Sequence, residues 1–377
     1  MDITDPWQWT FWGSLLIVVY TFVGYPVVIA MLAKVFARPA RKAELNPSVS
    51  VVMVAYNEAG RIRERIENLL DTAYPKDRLE IVVVTDGSTD ATPGIVQEFN
   101  DRNVRAIVRS DRAGKSACLN VGIPEATGEI VVLCDARQKF APETIPNLVS
   151  NFADERFGAV SGELFIERSE SSVGGGVDMY WKIEKYVREA EARMSSVVGA
   201  TGAVYAIRRE LFRPIPPDTL LDDVVIPMQI VMAGHRVGFD PSAPAFDPQT
   251  TDPVREKRRK LRTLAGNFQM LFRHPGWLLP WRTGIWWQVI SHKYSRIAAP
   301  VFLLTMFVAN AVLSSLPIYE LLFYGHCGFY LLAMLGALMP GVRFKLFSIP
   351  SGFVFLNLMT VGGFWNWLRG AYDQGKW

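Results

Sequence analysis

Between Asp5 and Lys34 the chain runs for 28 residues without a formal charge, through "FWGSLLIVVYTFVGYPVVIAMLA". An α-helix rises about 1.5 Å per residue, so roughly 20 apolar residues cross a bilayer. The stretch predicts a spanning helix. A cleaved signal peptide needs basic residues ahead of a short apolar core, and Asp2 and Asp5 stand there instead. Three further uncharged stretches close the sequence: Ile297–Tyr319, Leu321–Val342 and Leu346–Leu368. Each is long enough to span, although glycines, serine and proline in the last leave a re-entrant or tilted helix open there.

The charges around these stretches set an orientation. Lys34, Arg38, Arg41 and Lys42 follow the first, Lys293 and Arg296 precede the second, and Arg343 and Lys345 separate the last two. Only Glu320 occupies the remaining turn. Loops rich in lysine and arginine stay in the cytoplasm, so four crossings place both termini outside and the intervening domain inside, at the inner (plasma) membrane. The lipid bilayer is thus an expected partner. Half of the 377 residues are hydrophobic, in keeping with this, and a net charge of +3 gives no field for nucleic acid.

Cys118, Cys134 and Cys327 are scattered and odd in number, which suits packing residues in a reducing compartment. The four histidines are equally dispersed and offer no metal-ligand spacing. Two segments carry membrane-surface composition. The tryptophan-rich stretch "RHPGWLLPWRTGIWWQVISHKYSR" mixes aromatic and basic residues as segments at the headgroup level do, and is expected on the inner leaflet. Val177–Met194 reads as an amphipathic helix with Tyr180, Ile183, Val187 and Ala190 on one face, suited equally to core packing and to membrane contact. The expected organisation is a helix and linker over 1–45, a cytoplasmic domain over 46–270, an interfacial segment over 271–296, and three helices over 297–377.

From Pro47 the pattern changes to short valine-rich runs alternating with helical stretches: "SVSVVMVAYNE", "LEIVVVTDGS", "VRAIVRS" and "EIVVLCD". Continuous apolar strands separated by helices predict a parallel sheet covered on both faces, an α/β doubly wound domain inserted between transmembrane helices. In such sheets the ligand lies beyond the carboxyl ends of the strands. Those ends read "AYNEAG", "TDGSTD" and "DARQ", all polar. Any one of them suits a turn or helix cap, and together on successive strands they suit a nucleotide and a sugar. Neither G-x-x-x-x-G-K-[ST] nor G-x-G-x-x-G follows a strand, which argues against an ATPase or a dehydrogenase.

The ordered set "SVVMVAYNE", "VVVTDGSTD", "GKSACLN" and "LCDAR" resembles the family 2 glycosyltransferases. With its flanking helices the layout is similar to the membrane-bound branch of cellulose, hyaluronan and poly-N-acetylglucosamine synthases. The resemblance covers roughly residues 45 to 270. It implies a GT-A-like domain that binds a nucleotide-sugar donor, with UDP-linked sugars favoured. Ala55, Tyr56 and Glu58 would border the base and ribose, Asp86 would read the uracil edge, and Lys115 would sit near the donor. Asp135 would be the first residue of the family's D-x-D metal motif. In "VVGATGAVYAIRRELF" the turn Gly199, Ala200, Thr201 and Gly202 would floor the acceptor site. "LLDDVVIPMQIVMAGHRVGFDP" matches the T-E-D helix, with Asp222 at the glutamate position and Asp223 at the catalytic aspartate. A carboxylate at a helix start, aimed into a cleft, can take the acceptor hydroxyl's proton. Capping that helix is the other use of such a pair.

Two positions depart from the family pattern. Arg137 stands where the second D-x-D carboxylate would be, removing one ligand for Mg²⁺ or Mn²⁺ and adding a fixed positive charge. Either the guanidinium takes over part of the cation's work on the donor diphosphate, or Asp135, water and the diphosphate still hold the metal. The Q-x-x-R-W motif becomes "RKLRT", in which Arg259 and Arg262 could hold the diphosphate or, with the basic run from Arg255, meet the anionic leaflet. Thr263 replaces the tryptophan that stacks on the acceptor sugar in processive enzymes, which weakens the expectation of chain extension. The resulting expectation is an inverting transferase acting on a polysaccharide or lipid-linked acceptor, the alternative being a non-catalytic membrane scaffold. Four helices are few for a pore, so an export channel would need a homo-oligomer.

Overall fold

Seven consecutive residues, Val49–Ala55, are almost wholly withdrawn from solvent, and they form the central strand of an eight-stranded sheet. The computed structural model describes residues 5–166, 172–247, 253–339 and 344–372. Along the chain, helix α1 (Pro6–Val35) leads to β1 (Val49–Ala55), α2 (Ile62–Leu70), β2 (Leu79–Asp86) and α3 (Thr92–Gln97). Then follow β3 (Val104–Arg109), α4 (Lys115–Glu125), β4 (Ile130–Asp135), β5 (Lys139–Phe140) and α5 (Thr144–Ser150). The second half holds β6 (Phe157–Ile166), α6 (Ser172–Met194), β7 (Val204–Arg208), α7 (Asp222–Met232), β8 (Arg236–Asp247) and α8 (Pro253–Arg273). Helices α9 (Trp286–Val312), α10 (Pro317–Leu338) and α11 (Lys345–Leu368) complete it.

The sheet order is β3-β2-β1-β4-β7-β6-β8-β5. Strands β3, β2, β1 and β4 are parallel, in the register Val52 to Val82 and Val52 to Leu133. This is the doubly wound half expected from the valine runs. Because side chains alternate across a strand, Val52, Val54, Val82 and Val84 pack with Leu119 and Ile123 of α4, while Val51, Met53, Ile81 and Val83 pack with Ile62, Ile66 and Leu69 of α2. The other half is mixed: β7 runs antiparallel to β4 and β6, and β8 runs parallel to β6. β4, β6 and β8 therefore point the same way, and Asp86, Asp135 and Asp247 end their strands along one edge of the sheet.

Among the described residues four helices, α1, α9, α10 and α11, are long and apolar enough to cross a membrane. α1 contains a π-helical turn, Tyr20–Gly24, just before Pro26, whose missing N–H interrupts the regular ladder. α9 reaches back to Trp286, beyond the uncharged stretch at Ile297, so half of the tryptophan-rich segment is helical. Trp277 is buried and Trp287 packs edge-on against Tyr25, whereas Trp281 is exposed. The amphipathic face of α6 meets protein: Val187 and Ala190 are buried with Tyr25, Ile29 and Ala33 of α1. α8 lies across α11, where Gly363 lets Leu264 approach so closely that a Cβ would collide with it. Phe268 and Phe272 stack on Trp367 beside that notch.

Candidate active site

The polar strand ends are tied together before any ligand is considered. Asn57, held at φ 53°, accepts from the Thr89 amide at 2.9 Å, and its own N–H donates to Ser88 Oγ at 3.1 Å. The Glu58 amide donates to Thr92 Oγ1 at 2.8 Å and the Ala59 amide to Asp90 Oδ2 at 3.0 Å. "YNEAG" and "DGSTD" thus form one interlocked double loop beside Ala55, and part of their polarity is structural. Tyr56 lies under the Arg112 guanidinium, 4.0 Å from the ring centroid. Burial raises the Glu58 carboxyl above its ordinary range, against the opposing fields of Arg61 and Arg137.

Asp86 is fully buried and accepts from the amides of Ala113 at 2.6 Å and Gly114 at 2.9 Å. It fixes the loop that delivers Lys115 to the first turn of α4. Each carboxylate oxygen of Asp86 accepts one bond from this loop and keeps a further lone pair.

Lys115 is the centre of the site. Its Nζ lies 2.8 Å from Asp135 Oδ1 and 3.6 Å from Asp222 Oδ2. Burial acts to lower the ammonium's pKa, and Asp135 and Asp222 more than reverse this, so the lysine stays charged. Asp222 is buried and Asp223 half-buried at the start of α7. Asp223 Oδ2 accepts from the Gly202 amide at 3.2 Å, and its carbonyl accepts from the Ala200 amide at 2.7 Å. The turn Gly199, Ala200, Thr201 and Gly202 is therefore built directly on Asp223. Burial, then the neighbouring Asp222 charge, push the Asp223 carboxyl up to about 6, with Lys115 and Lys293 opposing. A carboxyl raised to about 6 is mostly ionised at neutrality and is a stronger base than an ordinary carboxylate, which suits proton abstraction.

Arg137 does not point freely at this centre. Its Nη2 is 2.5 Å from Oδ2 of Asp247, which is 2% exposed, and Arg259 Nη1 of α8 is 3.4 Å from the same oxygen. Arg262 follows one turn later on α8, half-buried. The side chain of Arg255, at the start of that basic run, lies outside the described residues. The residues present do not fit the family's two-carboxylate metal clamp: Asp135 is engaged by Lys115, an arginine holds the second position, and among the described residues no three His, Cys, Asp or Glu side chains converge on a metal position.

Three contributors were not foreseen from sequence. Asp247 could have been found by applying the strand-end rule to β8. Arg188 of α6, bonded to Thr201 Oγ1 at 2.9 Å and Ser161 Oγ at 2.8 Å, carries no local signal of its role. Neither does Lys293, whose basic charge reads as a membrane flank.

The family model "Glycosyl transferase family 2" matches residues 50–215, which hold Asp86, Lys115 and Asp135 and end before Asp222 and Asp223. The chain carries a family 2 glycosyltransferase domain. It is 28% identical over 235 residues to "Probable glycosyltransferase YdaM" of Bacillus subtilis, covering 59% of this chain and 55% of that protein. It is 35% identical over 157 residues to "Beta-monoglucosyldiacylglycerol synthase" of Nostoc, covering 40% and 33%. It is 23% identical over 246 residues to "Poly-beta-1,6-N-acetyl-D-glucosamine synthase" of Staphylococcus aureus, covering 62% and 58%. The match thus spans between 33% and 58% of the length of these curated relatives. Among solved structures, the mannosyltransferase PcManGT from Pyrobaculum calidifontis, in complex with GDP-Man and Mn²⁺, shares the fold with a TM-score of 0.73. That likeness covers 96% of this chain and 99% of that one at 24% identity, and with it the family 2 domain has the GT-A fold.

Proposed function

We propose that the protein is a membrane-bound, inverting glycosyltransferase that moves a sugar from a nucleotide diphosphate donor, UDP-linked by preference, to a polysaccharide or lipid-linked acceptor. The observation that carries this is Asp223, a carboxylate at a helix start, raised to about 6 and fixed against the Gly199–Gly202 turn. The acceptor hydroxyl oxygen attacks the anomeric carbon and its proton passes to Asp223. The bond to the leaving diphosphate breaks with its electron pair on the phosphate oxygen.

On this reading Ala55, Tyr56 and Glu58 border the nucleoside, and the cations Lys115, Arg137, Arg259 and Arg262 meet the diphosphate. A guanidinium binds phosphate oxygens bidentately and keeps its charge at working pH. Donor phosphates compete with Asp247 for Arg137 and Arg259, so the protein's own cations neutralise the leaving group in place of a metal held by a D-x-D pair. The basic residues from Lys34 to Lys42 support a cytoplasmic placement of the domain, and the four apolar helices support a multi-pass anchor.

The test is donor hydrolysis and transfer by the purified full chain, with UDP and GDP sugars, for wild type and Asp223→Asn. Turnover lost in the variant with donor binding retained supports the enzyme. Unchanged turnover in Asp223→Asn, or no turnover of any donor by wild type, overturns the reading.

A further inference from the structure

Beside the Gly199–Gly202 turn stand two cations that, among the described residues, have no carboxylate within 4.0 Å. Four basic side chains enter there from α6 and α9. Lys185 pairs with Glu163 at 2.8 Å, and Arg296 pairs with Glu184. Glu184 also takes His292 Nε2 at 3.0 Å, while Glu191 takes His292 Nδ1 at 2.8 Å and the Tyr25 hydroxyl at 2.5 Å. Each of these glutamates thus already has a basic partner of its own.

Arg188 and Lys293 remain. Arg188 is half-buried and bonded only to the hydroxyls of Ser161 and Thr201. Lys293 is half-buried, and among the described residues it makes neither a hydrogen bond nor an ion pair within 4.0 Å. Both lie within the fields of Glu184 and Asp223, and Lys293 within that of Arg188. Holding two like charges together, partly desolvated and without paired anions, costs stability and is characteristic of a site that waits for an anion.

The position of the pair says where such an anion comes from. Lys293 belongs to the π-helical turn Val289–Tyr294 at the start of α9, a helix that continues through the apolar span to Val312. Arg188 sits on α6, which packs along α1. The pair therefore stands where the candidate cleft meets the long apolar helices α1 and α9.

We propose that Arg188 and Lys293 bind a phosphate carried by a lipid acceptor, next to the hydroxyl that Asp223 deprotonates. A guanidinium and an ammonium from two helices match a phosphate's several oxygens and its double charge. The role of the hydroxyl rests on the glycosyltransferase reading. Phosphate binding does not.

The test uses the full chain in neutral detergent without donor, and reads bound lipid by native mass spectrometry. Phosphatidic acid is compared with diacylglycerol, its counterpart lacking the phosphate, for wild type, Lys293→Gln, Lys293→Arg, Arg188→Gln and the exposed control Arg78→Gln. Wild type and Arg78→Gln are expected to retain phosphatidic acid about tenfold or more over diacylglycerol, the scale of a charge-assisted hydrogen bond. Lys293→Gln and Arg188→Gln lose that preference, and Lys293→Arg keeps it. A melting curve identifies any variant that does not fold, and the Lys293 pair then decides. Equal retention of the two lipids by wild type, or an unchanged preference in folded Lys293→Gln, overturns the proposal. Displacement by glycerol 3-phosphate as effective as by the lipid overturns its lipid-borne part. Because no donor is present, a chain that turns over no sugar nucleotide can still pass, and an active enzyme can still fail.

Discussion

Arg137 and Asp247 meet at 2.5 Å across the edge of the sheet, the one at the position where the family places a metal ligand, the other at the end of β8. The lost D-x-D carboxylate thus has a counterpart in space, but that carboxylate neutralises an arginine. The expected consequence is turnover that is equal in EDTA and in added Mg²⁺ or Mn²⁺. Arg137→Ala should weaken nucleotide diphosphate binding in EDTA roughly 10- to 100-fold, the range of a charge-assisted hydrogen bond. Isothermal titration with UDP and GDP reads this directly. A requirement for added metal would return the work to Asp135.

Asp223 sets a pH dependence. It acts as a base only when ionised, so transfer should rise as pH passes about 6 and level off above it. Asp223→Asn should remove roughly 10²- to 10⁴-fold of the rate. Stability moves the other way. The folded carboxyl holds its proton to higher pH than the unfolded chain, so its contribution is full below the unfolded value of about 3.9 and is lost as pH rises through about 6. Asp223→Asn should therefore melt above wild type at pH 7.5, as scanning calorimetry would show.

Gly202 tests whether the turn positions that base. A Cβ at this residue would stand 2.9 Å from Asp223 Oδ2 and 3.3 Å from its carboxyl carbon. Gly202→Ala should lower the transfer rate by as much as about 10²-fold, the cost of a displacement near 1 Å, with little change in donor affinity. Single-turnover rates alongside donor titration separate the two.

Asp86 carries a structural prediction. Asp86→Ala leaves the buried amide of Gly114 and the partly buried amide of Ala113 without this acceptor, at roughly 1–3 kcal/mol for the buried one. The variant should unfold at lower denaturant. It should also lose donor affinity, because the loop that presents Lys115 is released.

Much of this arrangement was legible in the residues. Unbroken valine runs could only be doubly covered strands, and their parallel order followed. The rule that ligands gather at strand ends led to Asp86 and Asp135, and Asp222 and Asp223 stood out as an acidic pair at a helix start. What escaped depends on long-range placement. β6 to β8 pair in mixed directions that no local pattern specifies, so the end of β8 was not recognised as part of the same edge. Arg188 and Lys293 look like ordinary charges on amphipathic or flanking segments, and become site residues only when α6 and α9 are brought beside α7. The bonds from Asp86 to its own loop were not legible either, because a polar strand end gives the same signal whether it holds a nucleotide, a loop or both.

The notch at Gly363 ties the last apolar helix to the elements around the candidate site. α8 brings Arg259 to Asp247 at one end, and at the other Gln269 bonds the Leu220 amide and the Asp218 carbonyl, on the loop that leads to Asp223. α8 is in turn seated on α11 through Leu264 and the Phe272–Trp367 stack. The last helix is then a footing for both ends of the candidate site. Cutting the chain before it would take away the surface on which α8 rests, and with it the common support of Arg259 and of the loop that leads to Asp223.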